Sequence, residues 1–327
     1  MVAAALMTFA IGLLLMPVPA GGRFYSSLGD LCHTPLFICL TIGGLVLWEK
    51  AGPVGANRRR LSRRCFVVAV ALFCFGVGME LMQHFAGRTA AVHDAIANGL
   101  GVIIGVCVFT IWNRQFLWPE NQSIKNWLLA IAIAALVMAW WSPIEMLRDD
   151  WKLRSEFPNL VSFDSKIEIS RWYFRDSTGE LTSDGATDGD FAMKVTLPED
   201  HSSVTLVELH SDWTKMQQLD FDLLLPADQN ADQPNHQHAD QNAHEIPIEL
   251  SVLDRHHKNY DNDLFKKFVS LRRGVPMHVT LTRAEILAGP EDRALDLSAI
   301  QYFTVGLASR SAPVQIVIDA VKLTLQD

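Results

Sequence analysis

The sequence predicts two parts of different class, an α-helical membrane domain of about five transmembrane helices and an all-β jelly-roll sandwich after it. Three observations predict this. Apolar runs near the ~20 residues that a helix needs to cross a bilayer recur through the first 142 residues. After Ser142-Pro143 they give way to short alternating runs rich in β-branched residues. The charge divides at the same place: residues 1–144 hold ten Lys and Arg against five acids, net +5, and the remainder holds 18 against 31, net −13. A basic apolar half and an acidic half read as a membrane part and a soluble part. The acidic half argues against nucleic acid as a partner, because that needs basic surface to meet phosphates. The domains expected within the 327 residues are 1–142, a linker 143–160, and a sandwich 161–327.

The expected spans are 1–20, 31–48, 65–84, 95–112 and 126–142. The first, MVAAALMTFAIGLLLMPVPA, ends like a signal-peptide cleavage site but lacks the basic start of such a peptide, so it reads as a retained helix. The loop 49–64, EKAGPVGANRRRLSRR, holds six Lys or Arg, and short basic loops stay in the cytoplasm. The N-terminus is then cytoplasmic, 21–30 and 85–94 lie outside, 113–125 inside, and 145–327 is extracytoplasmic, in a bacterial inner membrane. Trp112, Trp118, Trp127, Trp140 and Trp141 fall near span ends, as interfacial aromatics do. The stretch IEMLRDDWKLRSEF after Pro143 is able to continue the fifth helix outward.

Polar residues interrupt these spans in a pattern. Glu80, Gln83 and His84 share one helix face, and so do Asp94, Asn98, Gly101 and Gly105; Asp30 and His33 are likewise three apart. Gly101-x-x-x-Gly105 lets another helix approach closely. Three polar stripes can therefore face one point, with Arg88 in the adjoining loop to counter the carboxylates. Such groups inside a membrane point to function, although pairing that only holds the bundle together, or shallow hydration, would also accommodate them. The pattern Asp30-x-x-His33, Glu80-x-x-Gln83, Arg88, Asp94-x-x-x-Asn98-x-x-Gly101-x-x-x-Gly105 resembles the VanZ-like membrane family over roughly residues 1–115. Relatives often carry Lys directly after the Asp, where this chain has Leu31. The resemblance implies a small helical membrane domain, and a named member is associated with low-level glycopeptide (teicoplanin) resistance.

The expected binding residues are Asp30, His33, Glu80, Gln83, Arg88, Asp94 and Asn98. As catalytic candidates, His33 would be a general base oriented by Glu80 or Asp94. The same three residues are able to ligate a metal, and Arg88 to hold the phosphate of a head group. Binding of a substrate or membrane-lipid head group ranks above catalysis. The five cysteines all lie in the apolar half without metal-site spacing and read as small buried residues.

Strands are expected at 166–174, 191–197, 203–209, 219–225, 246–254, 264–271, 275–281, 300–307 and 314–325. Many short strands at modest spacing mean an antiparallel sandwich or barrel. Phe163-Asp164 before Trp172, Gly189-Asp190-Phe191, LDFDLLL, SVLDRHHKNYDNDLF, LDLSAIQYFTVGL and the closing VIDAVKL are similar to galactose-binding or carbohydrate-binding-module jelly-rolls over about 160–327. That resemblance implies a fold that in relatives often binds glycans. Trp172, Tyr173, Trp213, Tyr260 and Tyr302 are candidate sugar-facing aromatics; Trp172 and Tyr302 lie within strands and read as core, and Trp213 and Tyr260, in loop-like segments, are the favoured glycan-binding residues. Asp164 and Asp319 are candidate ligands for a structural calcium ion, and no other cofactor is expected. The insert 226–245, with His236, His238 and His244, reads as a solvated loop rather than a metal site. No nucleophile or metalloprotease motif appears, which leaves enzyme activity open.

The function expected is that of a VanZ-like cell-envelope protein binding a lipid-linked or glycan ligand. A membrane-embedded enzyme acting on lipid or polysaccharide, and a bare anchor for the sandwich, are the alternatives. A reporter enzyme fused after Asp327 is expected to be active outside the cytoplasm; activity only inside would reverse the whole orientation.

Overall fold

The computed structural model describes residue 12 and residues 22–51, 58–85, 92–113, 122–198, 201–227, 245–258, 262–291, 293–308 and 313–326. The chain forms two compact units, Met1–Arg148 and Asp149–Asp327.

In the first unit the described helices are α1 (Arg23–Ala51), α2 (Arg58–Phe85), α3 (Val92–Trp112) and α4 (Gln122–Ser155), the last continuing into the second unit. All four are long and apolar enough to cross a membrane. The expected span 1–20 lies outside the described residues apart from Gly12. The helices overrun the apolar windows. α1 starts at Arg23 rather than 31, and α4 runs through Pro143 to Ser155, taking up most of the expected linker. Hydropathy marks the lipid-facing length, whereas a helix continues as long as its backbone bonds propagate. Asp30 and His33 therefore sit in the second and third turns of α1 rather than at its start.

The basic run is also helical from Arg58, placing cations at the N-terminus of α2, where the helix dipole disfavours them. Arg64 recovers part of that cost at the end of α1, donating to the Trp48 carbonyl at 3.4 Å with its guanidinium 5.7 Å from the Trp48 ring centre. α1 and α3 meet at glycines. A Cβ on Gly101 would stand 2.7 Å from the Thr34 carbonyl oxygen, and one on Gly105 would stand 2.6 Å from the Thr41 Cβ. Phe37, Val68, Leu72, Met79 and Val102 fill the space among α1, α2 and α3.

The second unit begins on the last turns of α4. Arg171 and Asp149, both buried, pair through Nη2 to Oδ1 at 2.7 Å and Nε to Oδ2 at 3.0 Å, and Arg171 Nη1 donates to the Leu160 carbonyl. Lys152 donates to Glu168 at 2.8 Å, and Glu168 also accepts from the Ser162 and Phe163 N–H groups. These pairs explain a departure from expectation. Residues 166–171 were expected to start a strand but form a 3-10 helix, and only then does β2 (Trp172–Arg175) begin. In a 3-10 turn residues three apart eclipse, so Glu168 and Arg171 both turn inward to their partners, which strand alternation would forbid.

Among the described residues eleven strands follow from β1 (Asn159–Val161), all paired antiparallel in two sheets. One sheet has the order β3 (Thr178–Thr182), β4 (Ala192–Leu197), β11 (Val314–Leu325), β6 (Met216–Leu224), β9 (Met277–Thr282), with β1 also on β11. The other runs β2, β5 (Ser203–Leu206), β10 (Ile300–Leu307), β7 (Glu245–Asp254), β8 (Phe265–Arg272). This is a β-sandwich, as expected. Its core includes Phe221 of one sheet against Phe303 of the other, ring centres 5.0 Å apart and edge to face. β1 and β3 were not expected, because one is three residues long and the other, TGELT, is polar with a glycine.

A short helix, α5 (Arg283–Ala288), follows β9 with a complete capping box between Thr282 and Glu285. Lys267, together with the N–H and hydroxyl of Thr282, donates to Glu285 and holds its carboxyl down at about 2.

Two outcomes test these contacts. Gly105→Val forces α1 and α3 apart and is expected to destabilise the detergent-solubilised chain by about 1–3 kcal/mol in thermal unfolding. Gly78→Ala, with nothing within 4 Å of the added Cβ, is the near-neutral control. Because Glu285 lies below its ordinary 4.5 in the folded chain, its contribution to stability is present above pH 4.5 and is lost as pH falls through about 2. The melting-temperature gap between the parent and Glu285→Gln is expected to be constant above that window and to close within it.

Candidate functional site

The five-stranded sheet buries one face and leaves the other open as a groove of about 560 Å³. Strand register explains its lining. Tyr173 pairs with Thr205, Thr205 with Thr304, Thr304 with Ser251, and Ser251 with Lys266, so one residue from each strand stands in a single row. Two positions along, the same face carries Arg175, Ser203, Gly306, Glu249 and Phe268. One position before the first row, the register Trp172–Leu206–Phe303–Val252–Phe265 turns the opposite way and is buried throughout. The period of two along every strand thus separates core from groove.

Tyr173 is 60% exposed at the edge strand, and Tyr302, part-buried on the central β10, accepts a hydrogen bond from Gln301 at 3.0 Å. The Thr205 and Thr304 hydroxyls lie 2.9 Å apart, and Lys266 Nζ lies 3.9 Å from Glu249. Gly306 contributes no side chain, which keeps the floor of the second row low. The groove therefore offers two aromatic rings, a line of hydroxyls, and fixed charges of both signs. Its volume lies in the range of ligand sites, and its chemistry suits a ligand rich in hydroxyl groups.

This relocates the aromatic candidates. Trp213, expected on the surface, is fully buried, and its indole N–H donates to the His210 carbonyl at 2.7 Å. A large indole in a loop that crosses the end of the sandwich fills core, which loop assignment alone does not register. Tyr260 lies outside the described residues. Tyr302, read as core, lines the groove, and Tyr173 joins it. The signal was present in Trp172-Tyr173-Phe174: with Trp172 inward, Tyr173 has to face outward.

The calcium candidates Asp164 and Asp319 each accept hydrogen bonds in the structure. A bulge in β11 turns the Asp319 carboxylate toward the loop before β4, where it accepts from the N–H groups of Thr187, Asp188 and Ala320. Asp319 is thereby surrounded by donors, whereas calcium demands a cage of oxygens. Asp164 is exposed and accepts from Ser162, and neither belongs to a metal-capable group of three among the described residues.

The helical unit brings its expected polar residues together. His33 of α1 donates through Nδ1 to the Oδ1 of buried Asn98 of α3 at 3.0 Å, and its Nε2 lies 3.9 Å from Asp94. Buried Glu80 of α2 joins His33 and Asp94 with ligand atoms within 4.8 Å of one another. His93, not among the expected residues, adds a second group with Asp30 and Asp94. Gln83 is buried on α2, one turn beyond Glu80. Gly76 makes room for Asn98, since a Cβ there would stand 3.1 Å from that of Asn98. Arg88 and the side chain of His84 lie outside the described residues.

No family model matches the chain, and no curated protein matches it. Solved structures do share similarity with about half of it. One is an exo-β-agarase, 15% identical, with a TM-score of 0.38 over 52% of this chain and 25% of that one. Another is a family 11 carbohydrate-binding module from Clostridium thermocellum in complex with a β-1,3-1,4-mixed-linked tetrasaccharide. It is 14% identical, with a TM-score of 0.37 over 52% of this chain and 96% of the module. A further agarase matches at 12% identity and a TM-score of 0.36, over 52% of this chain and 26% of that one. The chain thus spans about a quarter of either agarase.

Proposed function

We propose that this chain is an integral membrane protein of the cell envelope whose sandwich holds a glycan along the groove of its five-stranded sheet. The observation that carries this reading is the groove face of the sheet, where Tyr173 and, two residues before Thr304, Tyr302 stand beside a line of hydroxyls. Sugar rings present apolar faces to aromatics and hydroxyl edges to polar side chains, and the groove supplies both kinds of contact.

The helical unit, in this reading, is VanZ-like, from the spacing of Asp30, His33, Glu80, Gln83, Asp94 and Asn98. Its polar helix ends receive a membrane-lipid head group or a lipid-linked glycan precursor. The six basic residues of 49–64 support an inner-membrane orientation with the sandwich on the extracytoplasmic side. Polysaccharide and lipid-linked precursor would then both be within reach of one protein.

The test is retention of the detergent-solubilised chain by immobilised polysaccharides, including a mixed-linkage β-glucan and an agarose-type galactan. Tyr173→Ala and Tyr302→Ala are each expected to weaken retention roughly three- to tenfold, the worth of one aromatic contact. Trp213→Ala, a core substitution, is expected to lower thermal stability instead. Retention unchanged in both tyrosine variants would remove the groove from the function.

A further inference from the structure

We propose that the polar helix ends of the first unit form a binuclear site for divalent transition-metal ions, with Asp94 bridging the two ions. Two groups of potential ligands meet there. His33, Glu80 and Asp94 form one and Asp30, His93 and Asp94 the other, and in each group the ligand atoms lie within 4.8 Å of one another. Asp94 is common to both, and its two oxygens divide between them. Oδ2 lies 3.9 Å from His33 Nε2, and Oδ1 lies 3.3 Å from His93 Nε2. Asp30 Oδ2 completes the second group at 3.6 Å from His93 Nε2. One carboxylate oxygen directed to each of two imidazoles is the arrangement of a carboxylate that bridges two metals.

The His93–Asp94 separation of 3.3 Å is already that of two ligands on one ion, and the 3.6 and 3.9 Å separations reach it by movements of a few tenths of an ångström. Ligands about 2.0–2.1 Å from a metal at tetrahedral or octahedral angles stand about 3.0–3.4 Å apart, whereas N–H···O bonds close to about 2.7–3.2 Å. The Oδ1 atom of Asp94 is buried and makes no hydrogen bond in this arrangement.

The orientation of His33 points the same way. Its Nδ1 is engaged by the Oδ1 of Asn98, a residue with no exposed surface, so Nε2 is the nitrogen that faces the carboxylates. A second-shell acceptor that fixes the tautomer is the usual companion of a metal-bound imidazole. Carboxylates gathered with an imidazole at the end of apolar helices favour a cation among them, whether a metal ion or the proton of an imidazolium.

As metal ligands, three carboxylates and two imidazoles would bring three negative charges to the four positive charges of two divalent cations. Mixed nitrogen and oxygen donors suit zinc, manganese or ferrous iron. Each ion has three protein ligands, the shared Asp94 included, which leaves coordination positions for water or for an anionic oxygen such as that of a phosphate. The site goes beyond the glycan reading and does not rest on it, since every ligand lies in the helical unit.

The experiment uses the full chain, purified in detergent, stripped with EDTA and reloaded with Co²⁺. Bound metal is counted by mass spectrometry, and coordination is read from the visible absorption of Co²⁺. Two ions per chain are expected for the parent, one for His93→Ala and one for His33→Ala, and at least a tenfold loss of affinity for both ions in Asp94→Asn. His93 is 67% exposed, so its removal leaves the fold intact and keeps the test decisive even if a buried variant fails to fold. A folded parent that binds no Co²⁺, a parent that binds a single ion, or an Asp94→Asn chain that binds as the parent does would each overturn the proposal.

Discussion

A side chain on Gly101 or Gly105 would run into Thr34 and Thr41 of α1, so α1 and α3 pack backbone against backbone only because both positions are glycine. The polar chemistry of the helical unit depends on that approach. It brings His33 within hydrogen-bond distance of Asn98 and sets Asp30 and His33 beside His93 and Asp94. Gly76 does the same for α2, whose approach to Asn98 leaves room for the amide and carries Glu80 into the group. A few missing methyl groups therefore decide how closely three polar stripes converge. In a low-dielectric setting that distance decides whether the groups compensate one another or need a cation.

The sandwich solves a different problem with a different period. Each strand of the five-stranded sheet presents alternate residues to opposite faces, and the core claims Trp172, Leu206, Phe303, Val252 and Phe265. Once those are buried, Tyr173, Thr205, Thr304, Ser251 and Lys266 have to stand together on the other side. The packing that stabilises the sandwich is thus also what assembles the groove, and a one-residue slip in any strand would break both. The buried Arg171–Asp149 pair guards the start of this register, holding the 3-10 turn and β2 against the last turns of α4. Removing either partner would break a buried ion pair, at a cost of about 3–5 kcal/mol.

Much of this was legible in the sequence where the signal is local. The apolar windows located the four described membrane-length helices, and alternating runs located nine of the eleven strands. Asp30, His33, Glu80, Asp94 and Asn98 were picked out by spacing on a helix face and do converge. Errors arose where a distant partner overrides a local pattern. Residues 166–171 alternate like a strand, but ion pairs to Asp149 and Lys152 wind them into a 3-10 turn. Trp213 sits in loop-like sequence yet fills core.

By itself, then, the sequence determined the two classes of structure, the division of charge, and which helix faces are polar, because each of these follows from residues a few positions apart. Tertiary structure alone decided that Asp94 is shared by two ligand groups and that His93 belongs with them. It alone decided that Tyr173 and Tyr302, rather than Trp213, face the open groove. The physical reason is range: a face is set by the period of one element, but a site is set by the register and approach of elements far apart in the chain.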